Sequence, residues 1–179
     1  WEPVSGWAIG IGYEIDALSL FFGLIVALTI FLSCFYSLKY MSRDDTLEKY
    51  YVLFLMLSGA VLGLVLTGDL FNMFIMIEIL TFAAVALTAF RNNEDGPLEA
   101  AFKYLVIGSI GSSLTLTGVI LLYEQLHTLN MAQIGALLQK TGMNPTTAFA
   151  FGLLLTGFSI KAFIVPVHPV AADAYTSAP

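Results

Sequence analysis

Two ionisable residues, Glu78 and Lys161, lie inside stretches of sequence that are otherwise apolar enough to cross a membrane. Glu78 lies about eight residues into the apolar run 70–90, roughly 12 Å from its start if the run is helical. Lys161 lies roughly fourteen residues into the run 147–167, or ~20 Å along a helix axis. Charged side chains at such depths are costly in lipid and usually mark a functional site.

An acid and a lysine buried in one membrane domain could together bind and release a proton. Burial of a lysine favours its neutral form, whereas a neighbouring carboxylate favours the ammonium form. A lysine whose partner can approach and withdraw is therefore a switchable proton site. Two alternatives stay open: Lys161 extends to the far interface, or it forms a static pair with Glu78 that orders the helices.

Pro166 and Pro169 follow Lys161 closely and predict a broken helix just beyond it. Proline has no amide donor, so carbonyls one turn earlier lose their helical partners. Membrane proteins tolerate such breaks where protein or water bonds the freed groups, and transporters often build ion sites there. His168, between the two prolines, could relay protons near neutral pH or simply hydrogen-bond a loop.

The composition excludes a soluble domain. Hydrophobic residues make up 58%, charged residues 11%, and the mean hydropathy is +0.85, whereas soluble domains contain about 25% charged residues. Lipid requires each segment to satisfy its own backbone hydrogen bonds, which favours an all-α integral membrane protein with a polytopic transmembrane helix bundle. The sequence contains no basic patch that would bind nucleic acid and no cluster of metal ligands.

A single transmembrane domain over residues 1–179 is predicted, with Asp16 and Asp69 as N-caps of the first and third segments. The connection 124–145 contains a short amphipathic stretch, 131–140, that could lie at the membrane interface. A first residue other than Met and a polar turn at 176–179 suggest a fragment of a longer protein. The five apolar segments are about 17–40, 51–67, 70–90, 99–123 and 147–167.

Basic residues predict the orientation of the chain in the membrane. Five of them flank the first and third connections, and only Lys140 lies on the opposite side, so the positive-inside rule makes those two connections cytoplasmic. Lys103, which flanks the third connection, is either a topology anchor at the interface or a buried relay residue. The five are Lys39, Arg43, Lys49, Arg91 and Lys103.

Small residues predict close helix packing in the second and fourth segments. Gly59 and Gly63 form a GxxxG pattern in the second segment, and Gly108, Gly111 and Gly118 recur along the fourth. The single cysteine, Cys34, is interpreted as a packing residue that forms no internal disulfide.

Several stretches, taken together and in order, resemble the antiporter-like proton-pumping membrane subunits. That family includes the large membrane-arm subunits of respiratory complex I, the Mrp cation/proton antiporters and the membrane-bound hydrogenases. The resemblance covers about residues 15–179. The stretches are YEIDALSL, GDLFNMFIMIE, AAFKYLVIGSIGSSL, LYEQLHTLNMAQI and GFSIKAFIVPVHPVAADAYTSAP.

The resemblance implies a fragment of a larger inverted-repeat fold of roughly fourteen helices, of which this chain would be the third to seventh. It also implies four proton-relay residues: Glu78 on the fifth helix, Lys103 opening the sixth, Lys161 on the broken seventh, and His168 after the break. One departure is the run 170–172, Val-Ala-Ala, where the family usually has Trp-Leu-Pro or a similar run before Asp-Ala.

The expected function is proton translocation, or Na⁺/H⁺ antiport, in a complex I-like, hydrogenase or Mrp-type assembly of a bacterial or archaeal cell membrane. No redox centre or cofactor is expected in this chain, so its driving energy would come from partner membrane subunits. One alternative is a structural scaffold subunit with a static Glu78–Lys161 pair. Another is a transporter of an organic substrate, which would need a polar cavity near the helix break.

Overall fold

The computed structural model describes residues 10–44, 46–91, 93 and 96–179 of the chain; residues 1–9 of the predicted transmembrane domain lie outside that part. The described residues form seven α-helices, with a short 3-10 turn, Met41–Arg43, after the first. The helices are α1 (Ala17–Tyr40), α2 (Leu47–Leu66), α3 (Leu70–Thr88), α4 (Pro97–Leu126), α5 (Met131–Thr141), α6 (Pro145–Lys161) and α7 (Pro169–Ser177).

The four helices α1 to α4 are each long and apolar enough to span a membrane. The all-helical membrane bundle predicted from the sequence is therefore confirmed. The capping predictions also hold, because Asp16 accepts from the Ser19 amide at the start of α1 and Asp69 accepts from the Asn72 amide at the start of α3. The Ser19 amide also lowers the pKa of Asp16.

Helix α6 ends at Lys161, not at residue 167 as predicted. Pro166 has no amide to donate to the carbonyl one turn earlier, and Phe163 has a φ of 53°, which is incompatible with a continuing α-helix. The predicted polar turn at 176–179 is also wrong, since α7 continues to Ser177. Pro169 suits the first turn of α7 because its fixed φ matches a helix and its missing amide is not needed there.

Helix α6, residues 162–168 and α7 together form one broken helical unit. This unit runs antiparallel to α4 along most of its length. A Cβ at Gly118 would meet Leu154 of α6, and one at Gly108 would lie 4.0 Å from the Lys161 ammonium. Further towards the start of α4, Lys103 contacts Asp173 of α7. The broken, proline-interrupted helix predicted from the sequence is confirmed, and α4 is the element against which both of its halves pack.

Glycines allow α4 and α6 to approach closely. A Cβ at Gly157 would lie 2.8 Å from the Gly111 carbonyl oxygen, and a Cβ at Gly118 would lie 2.9 Å from the Ala150 carbonyl oxygen. The predicted packing role of the α4 glycines is thus confirmed. In α2 only Gly63 has a close neighbour, Met76, whereas a Cβ at Gly59 would meet no described residue within 4 Å, so the structure does not show the predicted helix contact at Gly59.

The connections at one end of the bundle are joined by backbone hydrogen bonds. The Gly68 amide donates to the Gly12 carbonyl at 3.0 Å, and the Met131 amide donates to the Gly68 carbonyl at 2.9 Å. Asn72 adds a side-chain bond to the Thr67 hydroxyl at 2.8 Å. The stretch GDLFN therefore fixes where α3 starts relative to the loops before α1 and α5.

Helix α5 packs against this same end and is not a free interfacial helix. Its Ile134 is 7% exposed and belongs to the main apolar core. The amphipathic pattern was correctly identified, but its apolar face meets protein. The core residues are Leu70, Val119, Leu122, Ile134, Ala150 and Leu154.

The opposite end of the bundle holds the basic residues that were predicted to be cytoplasmic. Arg91, after α3, donates to both carboxylate oxygens of Asp44 at 3.2 and 3.3 Å and lies over the Tyr40 ring. The Asp44 hydrogen bonds raise the pKa of Arg91. This pair ties the α1–α2 connection to the end of α3, while Lys140 lies at the far end in the last turn of α5.

Candidate functional site

Glu78 and Lys161, 83 residues apart in the sequence, form an ion pair in the interior of the bundle. The Lys161 Nζ lies 2.8 Å from the Glu78 Oε1, and the two side chains are 10% and 20% exposed. Glu78 comes from the middle of α3, and Lys161 is the last residue of α6. The contact that the sequence could not establish is therefore present.

The pair lies near the middle of the apolar helices. Glu78 is ~12 Å from the start of α3 and ~15 Å from its end. Lys161 lies beside Gly108, which is ~16 Å from the start of α4. The carbonyls at the C-terminus of α6 create a negative potential, which stabilises the Lys161 ammonium.

Two hydroxyl groups complete the site. The Lys161 Nζ donates to the Thr81 Oγ1 at 3.0 Å, and Thr81 in turn donates to the Ile77 carbonyl at 2.7 Å. Ser112 of α4 contacts the Glu78 Oε1, the same oxygen that Lys161 contacts. Sequence reasoning missed both hydroxyls. Thr81 could have been found, because its spacing of three residues from Glu78 puts both on one helix face, but the sequence has no comparable signal for Ser112.

The helix break leaves polar backbone next to Lys161. The amides of Ala162 and Ile164 still donate back into α6, to Phe158 at 2.8 Å and Ser159 at 2.9 Å. Within the described ranges, no backbone amide donates to the carbonyl of Lys161 itself. Such a carbonyl is available to water or to groups outside this chain.

Lys103 does not contact Glu78. Its Nζ lies 2.8 Å from Glu99 in α4 and 3.1 Å from Asp173 in α7, and its side chain is 46% exposed. It lies nine residues before Ser112, or ~13 Å along α4. Lys103 is thus a half-exposed residue near the helix end, not a buried one, and Asp173 is a partner that sequence reasoning did not assign to it.

A polar groove of about 190 Å³ opens beside this cluster, between the start of α4 and the end of α7. It brings Lys103 and its two acidic partners to a surface at the predicted cytoplasmic end. The lining residues are Gly96, Glu99, Ala100, Lys103, Asp173, Thr176 and Ser177.

His168 is exposed in the turn before α7, seven residues after Lys161. Its side chain forms no hydrogen bond or ion pair with any other residue that the structure describes, Lys161 included. Of the four predicted site residues, the structure therefore brings Glu78 and Lys161 together and leaves Lys103 and His168 separate from them. No group of three or more potential metal ligands occurs in the described ranges.

Two family profiles match the chain. Residues 67–179 match the family described as NADH:quinone oxidoreductase/Mrp antiporter, TM, and residues 1–51 match NADH-Ubiquinone oxidoreductase (complex I), chain 5 N-terminus. NADH-quinone oxidoreductase subunit N of Desulforudis audaxviator is 35% identical over 98% of this chain and 36% of its own length.

Two solved structures share the fold. A chain of the membrane-bound sulfane sulfur reductase, an archaeal respiratory membrane complex, is 36% identical with a TM-score of 0.89, covering 100% of this chain and 35% of its own. A chain of respiratory complex I from Thermus thermophilus with bound aureothin is 28% identical with a TM-score of 0.76. The match covers 97% of this chain and 37% of that one.

The chain thus spans about a third of the length of these relatives. Its apolar helices and its bacterial and archaeal relatives identify it as an integral protein of the cell membrane. The matched profile covers more than half of the sequence, so the chain belongs to the NADH:quinone oxidoreductase/Mrp antiporter family of membrane subunits.

Proposed function

We propose that this chain is part of a proton-translocating membrane subunit of a respiratory complex and that Lys161 is its proton carrier. The observation that supports this most directly is the buried ion pair at 2.8 Å between Lys161 and Glu78, midway along the apolar helices. Burying a charge pair at that depth costs stability, so its presence there supports a functional role. Partner subunits would supply the driving energy.

Glu78 tunes how tightly Lys161 holds its proton. Moving two opposite charges from ~4 Å to ~10 Å apart at an effective dielectric constant of ~20 weakens their attraction by about 2–3 kcal/mol. Without its carboxylate partner, a buried ammonium favours the neutral form. Separation of the pair therefore drives the proton from Lys161 to the next acceptor, and its reunion favours reloading.

Lys103 is proposed to link Glu78 towards the cytoplasmic side, and His168 is proposed to link Lys161 to water beyond the helix break. Lys103, with Asp173, lines the groove at the predicted cytoplasmic end, and His168 follows the helix break seven residues after Lys161. Neither side chain contacts the central pair, so ordered water must bridge the intervals. The free carbonyl at the break offers such water an acceptor.

The alternative is a structural scaffold in which the pair stays closed and only orders the bundle. The additional bond from Lys161 to Thr81 at 3.0 Å favours this view, because a pair held from several sides is hard to open. A Glu78→Lys, Lys161→Glu double variant, which exchanges the two charges, distinguishes between the scaffold and the relay. A scaffold retains assembly and activity after the exchange, whereas a tuned relay retains assembly alone.

The deciding experiment measures proton uptake by vesicles that contain the intact complex. Lys161→Met is expected to abolish the coupled proton movement of this subunit while the complex still assembles, and Glu78→Gln is expected to reduce it strongly. Lys103→Met and His168→Gln should each lower it partially. Repeating the assay with and without Na⁺ distinguishes proton translocation from Na⁺/H⁺ antiport.

Lys140→Met is the matched control, because Lys140 is an exposed lysine at the far end of the bundle. Its proton uptake should equal that of the unmodified complex. Undiminished uptake by Lys161→Met would remove Lys161 from the mechanism.

A further inference from the structure

The hydroxyl side chains inside the helices share one bonding pattern. Most donate to the backbone carbonyl four residues earlier, and a few, such as Ser37 and Thr147, to the carbonyl three residues earlier. Examples at 2.8–3.0 Å are Ser109 to Leu105, Ser113 to Ser109, Thr115 to Gly111 and Thr88 to Ala84.

Ser112 and Thr81 depart from this pattern because each has a second, charged partner. Ser112 contacts both the Gly108 carbonyl, at 2.9 Å, and the Glu78 carboxylate. Thr81 donates to the Ile77 carbonyl and accepts from the Lys161 ammonium. Among the described residues, these are the two hydroxyls that reach the central pair.

A hydroxyl has one hydrogen, so Ser112 cannot donate to Gly108 and Glu78 at the same time. When Glu78 is ionised, Ser112 donates to it. When Glu78 is protonated on the same oxygen, the carboxylic acid can donate to Ser112, which then turns its own hydrogen to Gly108. Both states use the same positions of the heavy atoms.

The same exchange is available on the lysine side. While Lys161 is an ammonium, it donates to Thr81, and Thr81 donates to Ile77. Once Lys161 is a neutral amine, its lone pair can accept from Thr81, whose hydrogen leaves the Ile77 carbonyl. The rearrangement is a rotation of the Thr81 hydroxyl hydrogen and of the Lys161 amine about its Cε–Nζ bond, and no heavy atom moves.

We infer that Ser112 and Thr81 are positioning residues that let the Glu78–Lys161 site exist either as an ion pair or as a neutral pair without moving its heavy atoms. In the step between these states, an N–H bond of Lys161 breaks, an O–H bond forms on Glu78, and the two charges cancel. The inference rests on the proposed function and describes the pair while it is in contact; the separation proposed above acts on the ion-pair form.

The effect of removing the Ser112 hydroxyl follows from this arrangement. A hydrogen bond to an ionised carboxylate is stronger than one from a neutral acid, so Ser112→Ala penalises the ionised state more. The pH of half-maximal pumping should then rise. The rate should fall by about tenfold, the effect of losing one bond to a charged group.

The experiment measures the rate of proton uptake and its pH profile in vesicles that contain the intact complex. Ser112→Ala should show both changes, and Ser112→Thr, which keeps the hydroxyl, should restore both to within about twofold. Ser109→Ala is the matched control on the same helix and should change neither. On α3, Thr81→Val should slow uptake, Thr81→Ser should restore it, and Thr88→Val should have no effect on the pH profile.

A normal rate and pH profile in Ser112→Ala would overturn the inference, and so would a Ser112→Thr variant that fails to rescue an assembled complex. The result stays distinct from the test of the proposed function. If Lys161→Met abolishes uptake but Ser112→Ala does not alter it, the relay stands and the hydroxyl exchange is rejected. If Lys161→Met pumps normally, both are rejected.

Discussion

Asp69 and Glu78, at the start and in the middle of α3, have different surroundings. Asp69 precedes α3, is 7% exposed, and accepts from the Asn72 amide at 2.9 Å. Glu78 lies two and a half turns later and faces an ammonium. The first acid starts the helix, and the second forms the ion pair on which the proposed proton exchange depends.

Asp69→Ala is expected to destabilise the protein by about 1–3 kcal/mol, since it removes an N-cap and leaves the buried Asn72 amide without its acceptor. Asp69→Asn should be close to neutral because an asparagine oxygen caps equally well. The thermal unfolding midpoint of the purified full-length subunit measures both. Asp16→Ala, at an exposed cap, should have a smaller effect, and an equal loss at both sites would contradict the role of burial.

At the scale of elements, the break between α6 and α7 determines where the lysine lies. Lys161 is the last residue of α6, and the Phe163 ring packs edge-on against Tyr104 of α4 with centroids 5.0 Å apart. The position of Lys161 thus depends on the contact between α4 and α6 on one side of it and on the Lys103–Asp173 contact on the other side.

Gly157→Ala is expected to destabilise the bundle by about 1–3 kcal/mol through overpacking. The added carbon would lie 2.8 Å from the Gly111 carbonyl and 2.9 Å from the Thr115 amide, which are backbone atoms and cannot rotate away. Gly152→Ala on the same helix meets nothing within 4 Å and should stabilise slightly, by about 0.5–1 kcal/mol. Thermal unfolding of the two variants, compared directly, checks this; equal midpoints would contradict close α4–α6 packing.

For the whole molecule, charge is distributed unequally between the two ends of the bundle. Lys39, Lys49, Arg91 and Lys103 lie at helix ends on one side, and Lys140 lies on the other. The positive-inside rule predicts that the first end, with the Lys103 groove, faces the cytoplasm. The central pair then lies between a basic end, predicted to be cytoplasmic, and an opposite end where Asn72 donates to the Thr67 hydroxyl.

Single-cysteine labelling tests this orientation. In the full-length subunit with Cys34→Ser and any other cysteines replaced, Lys49→Cys should react with a membrane-impermeant thiol reagent only from the cytoplasmic side. Lys140→Cys should react only from the outside. Both lysines are exposed in the structure, and the reverse pattern of labelling would invert the proposed direction of the route.

The sequence by itself determined the class of the protein, most of its helices and the two anomalous charges. These are local properties, since a run of apolar residues, a capping aspartate or a proline acts on neighbouring backbone regardless of the rest of the chain. The end of α6 was the main local error. The two prolines indicated a break, but the residue at which it occurs depends on how Phe163 packs against α4.

Only the tertiary structure decided which groups meet. Glu78 and Lys161 are on different helices 83 residues apart, and their contact follows from how closely α4, with its glycines, lets α3 and α6 approach. The same packing places Thr81 and Ser112 against the pair. It also places Lys103 against Asp173, not against Glu78. Helix spacing and rotation depend on the fit of side chains across three helices at once, which no single segment of sequence specifies.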